Sequence, residues 1–235
     1  MMKKNINQKV ISLLEYYKMI NLDMIISNSP ITRYKKEKNI NFIFNKKEKL
    51  NVLKKNIENI KNCNLKKTAN KIVFSDGNIN SKIMLIGEGP GAQEDKIGLP
   101  FVGAAGKLLD KMLEAIDLNR DKVYISNVVN YRPPNNRKPT DQEMERYLPF
   151  LKLHIGIINP KILVLLGSTA MQAISRKDKI ISKARGKWFK SKIGECEPET
   201  IVTFHPAFLI RQPEQKKNSW YDLKLIREKI KFLQL

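Results

Sequence analysis

From residue 82 onward, short and almost wholly apolar runs alternate with helical stretches, and this rhythm restricts the fold more than any other feature. The apolar runs are "KIMLIG" (82–87), "KVYISNVV" (122–129), "KILVLLG" (161–167) and "TIVTFH" (200–205). Strands this apolar are buried on both faces, which requires a parallel sheet covered by helices on each side. Between them, "GAAGKLLDKMLEAIDL" carries Leu108, Leu109, Met112, Leu113 and Ile116 at helical spacing. "TDQEMERYLPFLKLHIGII" opens with a capping box, Thr140 to Glu143, and "STAMQAI" and "WYDLKLIREKIKFL" supply two further helices. The expected fold is α/β: a three-layer sandwich with a central four-stranded parallel sheet flanked by helices.

The first 75 residues read differently. Val10, Ile11, Leu13, Leu14 and Tyr17 have helical spacing, and a second helix is expected near 48–62. Between them lies the Lys/Asn-rich connector "ITRYKKEKNINFIFNKKEKLNV", with "FIF" as a short docking point. The expected division is a basic, partly helical segment over 1–75 and a catalytic-type domain over 76–235. Lys and Arg number 44 against 23 acids, a formal charge of +21 that draws the chain to polyanions. An AT-rich coding sequence would also produce much of this Lys/Asn bias. Two cysteines, Cys63 and Cys196, make no disulfide framework, so a reducing, cytoplasmic compartment is expected. No apolar run approaches the ~18–20 residues that span a bilayer.

In parallel sheets, ligands bind beyond the carboxyl ends of the strands. Three unusual segments fall there. "GEGPGAQED" follows the first strand; its glycines could serve a plain turn or turn backbone N–H groups toward an anion. It is neither a dinucleotide fingerprint nor a P-loop. Phe101, on the glycine-bounded loop that follows, is either a core residue or a stacking surface for a planar ring. Asn127 ends the second strand and is either a strand-end cap or a bidentate amide matching the O4 and N3–H edge of uracil. "RPPNNRKP" is a stiff loop carrying Arg132 and Arg137. "HPAFLIR" follows the last strand and holds His205, with Leu209, Ile210 and Arg211 behind it; an apolar tip beside a base is what a duplex-opening wedge looks like.

Taken in this order, "GEGPGAQEDKIGLPFVGAAGKLLDKML", "NVVNYRPPNNRKP" and "HPAFLIR" closely resemble the family 4 (type-4) uracil-DNA glycosylases, and "RGKWF" at 185–189 fits the bacterial members of that group. The resemblance covers roughly residues 63–232. It implies a monofunctional DNA N-glycosylase without a lyase step, which flips deoxyuridine out of DNA and hydrolyses its glycosidic bond in base excision repair. The implied catalytic residues are Glu88, holding the water or facing the sugar cation, and His205, steadying the uracil anion at O2. Gly89, Phe101, Asn127 and Glu94 would bind the base, with Glu94 walling out the thymine methyl. Gly89 stands where the best-studied superfamily members carry an aspartate, which weakens the assignment of Glu88. Arg132, Arg137, Leu209, Ile210 and Arg211 would meet DNA, Leu209 and Ile210 by filling the vacated stack. The partner is uracil-containing DNA, with no membrane, and the chain is expected to act as a monomer in a bacterial cytoplasm.

Typical members hold a 4Fe-4S cluster on four cysteines. The matching positions here are Ile60, Cys63, Tyr131 and Tyr147, and Cys196 matches none of them. One thiolate of four does not hold a cubane, so no cofactor or metal is expected and Cys63 is a leftover ligand. The competing reading keeps the DNA and drops the chemistry: an idle, basic repair-accessory domain of the same fold. A third, a phosphate-binding metabolic enzyme using "GEGPG" and "LVLLGSTA", lacks a loop lysine and leaves "HPAFLIR" unexplained.

Overall fold

A computed structural model describes residues 45–175 and 180–235. The chain divides into two compact units, residues 1–61 and 62–235. In the first unit, helix α1 (Lys46–Glu58) realises the helix expected near 48–62. Asn45 Oδ1 accepts from the Glu48 N–H at 3.0 Å and Glu48 Oε2 accepts from the Asn45 N–H at 2.9 Å, a capping box that fixes its start. Leu50, Leu53 and Ile57 form its buried face. The helix expected around Val10–Tyr17 and the "FIF" segment lie outside the described residues.

The second unit begins at Asn62, ahead of the start expected at 76. Residues 62–75 belong to it because the Val73 N–H donates to Asn130 O at 2.8 Å and Phe74 O accepts from Ser126 Oγ at 2.8 Å. Its elements are α2 (Asn64–Thr68), β1 (Asp76–Gly77), β2 (Ile83–Gly87), α3 (Ala92–Ile97), α4 (Ala104–Glu114), β3 (Tyr124–Asn127) and α5 (Asp141–Ile158). Then follow β4 (Ile162–Leu166), α6 (Ser168–Ser175), α7 (Ile181–Ala184), β5 (Phe189–Lys190), β6 (Glu199–Thr203), α8 (Pro206–Arg211) and α9 (Lys216–Phe232).

The sheet order is β1-β3-β2-β4-β6-β5. The four inner strands are parallel and are those read from the apolar runs. The unexpected addition is a two-residue antiparallel strand on each edge, too short to carry an apolar pattern. Register is set by alternation. Ile83 and Leu85 join Val164 and Ile201 on one face, covered by Leu109 and Leu113 of α4 and Leu223 and Ile226 of α9. On the β3 side, α5 brings His154 against Tyr124, with Nε2 and Oη 2.7 Å apart, and stacks it on Phe74. The Thr140–Glu143 capping box opens α5 as expected, and the helix runs through Pro149.

Strand order reverses between β2 and β4, because the chain leaves β2 for β3 and returns past it to β4. Such a switch point opens a crevice at the carboxyl ends of the strands. Those ends are Gly87, Asn127, Leu166 and Thr203.

Candidate active site

A pocket of about 390 Å³ lies over these strand ends. Its floor is the close approach of β2 and β3, where Gly87 pairs with Asn127. A Cβ on Gly87 would lie 2.4 Å from Asn127 Oδ1 and 2.5 Å from Phe101 Cζ, so glycine is what lets the amide and the ring meet there. Asn127 is only 3% exposed, and its Oδ1 is buried without a hydrogen-bond partner. An unpaired buried carbonyl costs about 1–3 kcal/mol, so a fold keeps one only where something else uses it.

Phe101 is held to its place with force. Its backbone is left-handed (φ 55°), a conformation that bulky residues avoid. Arg120 secures the turn: Nη1 donates to Pro100 O at 3.1 Å and to Asp76 at 2.6 Å, Nε donates to Asp110 at 2.8 Å, and Nη2 donates to Phe101 O. Glu94 secures the other side, with Oε1 accepting from the N–H groups of Val102 (2.9 Å) and Gly103 (2.8 Å) and Oε2 from Gly91 (3.1 Å). The Phe101 ring therefore faces His205, ring centroids 5.5 Å apart.

His205 caps the N-terminus of α8, and its Nδ1 accepts from the Ala207 N–H at 3.2 Å. A neutral imidazole accepting at Nδ1 carries its proton on Nε2. Burial, and then the nearby Arg211 charge, push the ring's pKa down to about 4, so it is neutral at pH 7 and presents an Nε2–H donor. Behind it, Arg185 donates through Nε (3.0 Å) and Nη2 (2.6 Å) to Asp222, which also accepts from Thr203 Oγ1 at 2.7 Å. The guanidinium lies 5.5 Å from the Phe204 ring centroid, so this buried pair braces the two residues that precede His205.

Glu88 lines the pocket, where its carboxylate accepts a hydrogen bond from the Thr169 hydroxyl of α6. Gly89 also lines the pocket; a Cβ there would lie 2.7 Å from Val129 Cγ2, which leaves little room for a side chain. Arg211 lines the mouth.

The structure thus brings together Glu88, Gly89, Glu94, Phe101, Asn127, His205 and Arg211. Three expectations change. Leu209 is 1% exposed and packs in the core, because the short helix α8 turns it inward; only Ile210, 45% exposed, is available as a wedge. Arg137 also borders the pocket, but both ends of its guanidinium meet Glu143, each at 2.7 Å, so it is no free phosphate clamp. Arg132 donates to Asn136 Oδ1 at 2.7 Å and helps shape the Pro-rich loop. Sequence reasoning missed Arg120, which no motif singles out, and the contact of Thr169, which lies in "LVLLGSTA", and it found "RGKWF" without its partner Asp222.

The pocket thus presents an aromatic ring, an unpartnered amide oxygen and an imidazole donor together. The model of the uracil DNA glycosylase superfamily matches residues 74–228. The chain belongs to that superfamily. Three type-4 uracil-DNA glycosylases are among its similar proteins. The Pyrobaculum aerophilum enzyme is 37% identical over 71% of this chain and 87% of its own length. For Thermotoga maritima the figures are 39%, 72% and 87%, and for Sulfurisphaera tokodaii 41%, 77% and 84%. The superfamily match spans every strand-end residue of the pocket, from Glu88 to Arg211.

At the positions that the resemblance assigns to cluster ligands, Cys63 is the one thiol. Cys63 Sγ lies 3.3 Å from Tyr147 Oη in a buried contact, and Tyr131 is buried as well. Ile60, the remaining position, is buried and has no ligating atom. Cys196 is bound up in a separate bridge with Ile193, where its thiol donates to the Ile193 carbonyl at 3.1 Å. Among the described residues, no group of three or more His, Cys, Asp or Glu side chains could hold a metal, and no helix is long and apolar enough to cross a membrane.

Proposed function

We propose that the protein is a uracil-DNA glycosylase that releases uracil by simple hydrolysis. The observation that carries this reading is the buried, unpartnered Asn127 Oδ1 beside the Phe101 ring. An everted uracil donates N3–H to that oxygen and takes the amide N–H at O4. Cytosine presents the reverse pattern, and a good bidentate match is worth roughly 1–3 kcal/mol. Three backbone N–H groups fix the Glu94 carboxylate, which supports its use as a rigid wall against the C5 methyl of thymine.

In the reaction the bond between C1′ and N1 breaks, positive charge grows on the sugar and negative charge on the base. The neutral His205 donates Nε2–H to the developing anion at O2 without transferring its proton. One such preorganised donor is worth about 10²–10³ in rate. Glu88, oriented by Thr169, faces the sugar cation and orients the water that adds to C1′. The proposal is of a monofunctional enzyme, without the lyase step that an amine nucleophile would carry. Action as a monomer in the cytoplasm on uracil-containing DNA is part of this proposal. Cys63 with Tyr131 and Tyr147 supports folding and activity without a cluster; iron near four atoms per chain in anaerobically purified protein would overturn this.

The deciding experiment uses a labelled single-stranded oligonucleotide with one uracil, incubated and then treated with alkali. The reading predicts a strand break at uracil, none at thymine, and loss of the break in Asn127→Ala. Salt-sensitive binding without cleavage would assign the chain to the idle accessory class instead.

A further inference from the structure

If the pocket takes one everted nucleotide, as proposed above, the surface beside it is where the strand goes next. Arg211, at the pocket mouth, is followed by the turn Pro213–Gln215, which packs against both α8 and α9. Eight residues of turn and helix separate Arg211 from Trp220, a path of about 15–20 Å. On α9, Lys217, Trp220, Tyr221 and Lys224 stand at i, i+3, i+4 and i+7, and so share one face.

That face is unusual for a surface helix. Trp220 is 40% exposed and Tyr221 is 56% exposed. Lys224 Nζ sits 4.3 Å from the Tyr221 ring centroid, and Lys216 and Lys217 are exposed beside them. The only acid between Lys216 and Lys224 is Asp222, which is buried on the opposite face and held by Arg185 and Thr203. The buried pair anchors the helix, so the aromatic rings are offered on a rigid support.

We propose that this face of α9 is a stacking platform for unpaired DNA leaving the pocket. Rings for base faces alternating with cations for phosphates is the arrangement by which proteins hold single strands without reading their sequence. A protein partner of opposite charge would meet the lysines but would leave two adjacent aromatic faces to be covered by chance. Continuity with the pocket mouth and the chain's +21 charge favour DNA. The inference rests on the pocket being a DNA site and adds to it a preference for single strands.

The test is binding of a labelled dT20, which contains no uracil, by fluorescence anisotropy. Trp220→Ala and Tyr221→Ala should each raise Kd about fivefold or more, as expected for the loss of a stacked base, and the double variant further. Binding of a blunt 20-base-pair duplex should change less than the single strand, because paired bases have no free face. Lys217→Gln combined with Lys224→Gln should reduce the salt slope of dT20 binding by roughly 1.4. Phe232→Ala, 80% exposed at the far end of the same helix, should leave Kd unchanged. Melting curves should show every variant folded at the assay temperature, with the largest Tm decrease for Trp220→Ala, whose ring is the more buried of the two. A double variant that binds dT20 like the parent overturns the proposal, as does equal loss on single strand and duplex. Because dT20 is not a substrate, failure to release uracil elsewhere does not alter this result, and unchanged dT20 binding does not alter the glycosylase reading.

Discussion

Gly106→Ala sets two effects against each other, and the structure decides between them. Gly106 lies inside α4, where alanine is intrinsically favoured by about 1 kcal/mol. Its added Cβ, however, would lie 1.7 Å from Phe101 O and 2.1 Å from Phe101 C, both backbone atoms. Reaching ordinary contact requires a shift of about 1.5 Å or more. That shift must come from the helix or from the Phe101 turn, which is left-handed and tied by Arg120 and, through Val102 and Gly103, by Glu94. Overpacking of this kind costs roughly 1–3 kcal/mol, which exceeds the helix gain. The expected net loss of up to about 2 kcal/mol lowers Tm by up to roughly 8 °C. Activity should suffer more, since a displacement of about 1 Å at a positioning element can cost on the order of 10²-fold. Thermal melting and kcat/KM on a uracil-containing oligonucleotide measure both. A variant with raised Tm and unchanged kcat/KM would falsify the view that the α4 start fixes the Phe101 ring in the pocket.

Further outcomes are expected. Asn127→Ala should abolish most uracil release without lowering Tm, because it removes a buried carbonyl that has no partner in the folded chain; a large Tm loss with retained activity would contradict its role as the base reader. His205 should show no titration in kcat/KM between pH 5.5 and 8, since its pKa is pushed down to about 4, and an inflection near 6.5 that disappears in His205→Gln would refute the neutral-donor assignment. Both histidines are depressed by burial, His154 to about 3, so between 6.5 and those values the unfolded chain binds protons that the folded chain does not. Stability should therefore be complete above pH 6.5 and fall as pH drops toward 4, by an amount on the order of a few kcal/mol shared about equally by the two histidines, read by urea denaturation across that range. Arg185→Ala should lower Tm by roughly 10 °C, because it strands the fully buried Asp222 carboxylate, whereas Arg185→Met with Asp222→Leu should recover much of the loss.

Much of the architecture was legible because parallel strands are apolar on both faces. Each of the four runs became a strand within a residue or two of its expected limits, and the Thr140–Glu143 box marked the start of α5. The pocket residues were legible because they follow strand ends, where the topology must gather them. What failed was facing. "HPAFLIR" carries two adjacent aliphatic residues, and only the direction of a six-residue helix decides that Leu209 goes inward and Ile210 outward. Pairing was equally hidden: two arginines in a loop look like phosphate ligands until Glu143, on the following helix, occupies one of them. Arg120 gave no signal because its partners, Asp76, Asp110 and the turn at Phe101, are scattered along the sequence.

The two rim strands of the sheet, β1 and β5, bear on how the protein behaves at high concentration. A parallel layer whose inner strands are apolar on both sides is a template for sticking to its own copies wherever a long border is left open. Here each border is closed by a pair of residues running the opposite way, Asp76 with Gly77 on one side and Phe189 with Lys190 on the other. A carboxylate and an ammonium at these margins, on segments too short to recruit a further strand, guard the molecule against end-on polymerisation without adding to its core.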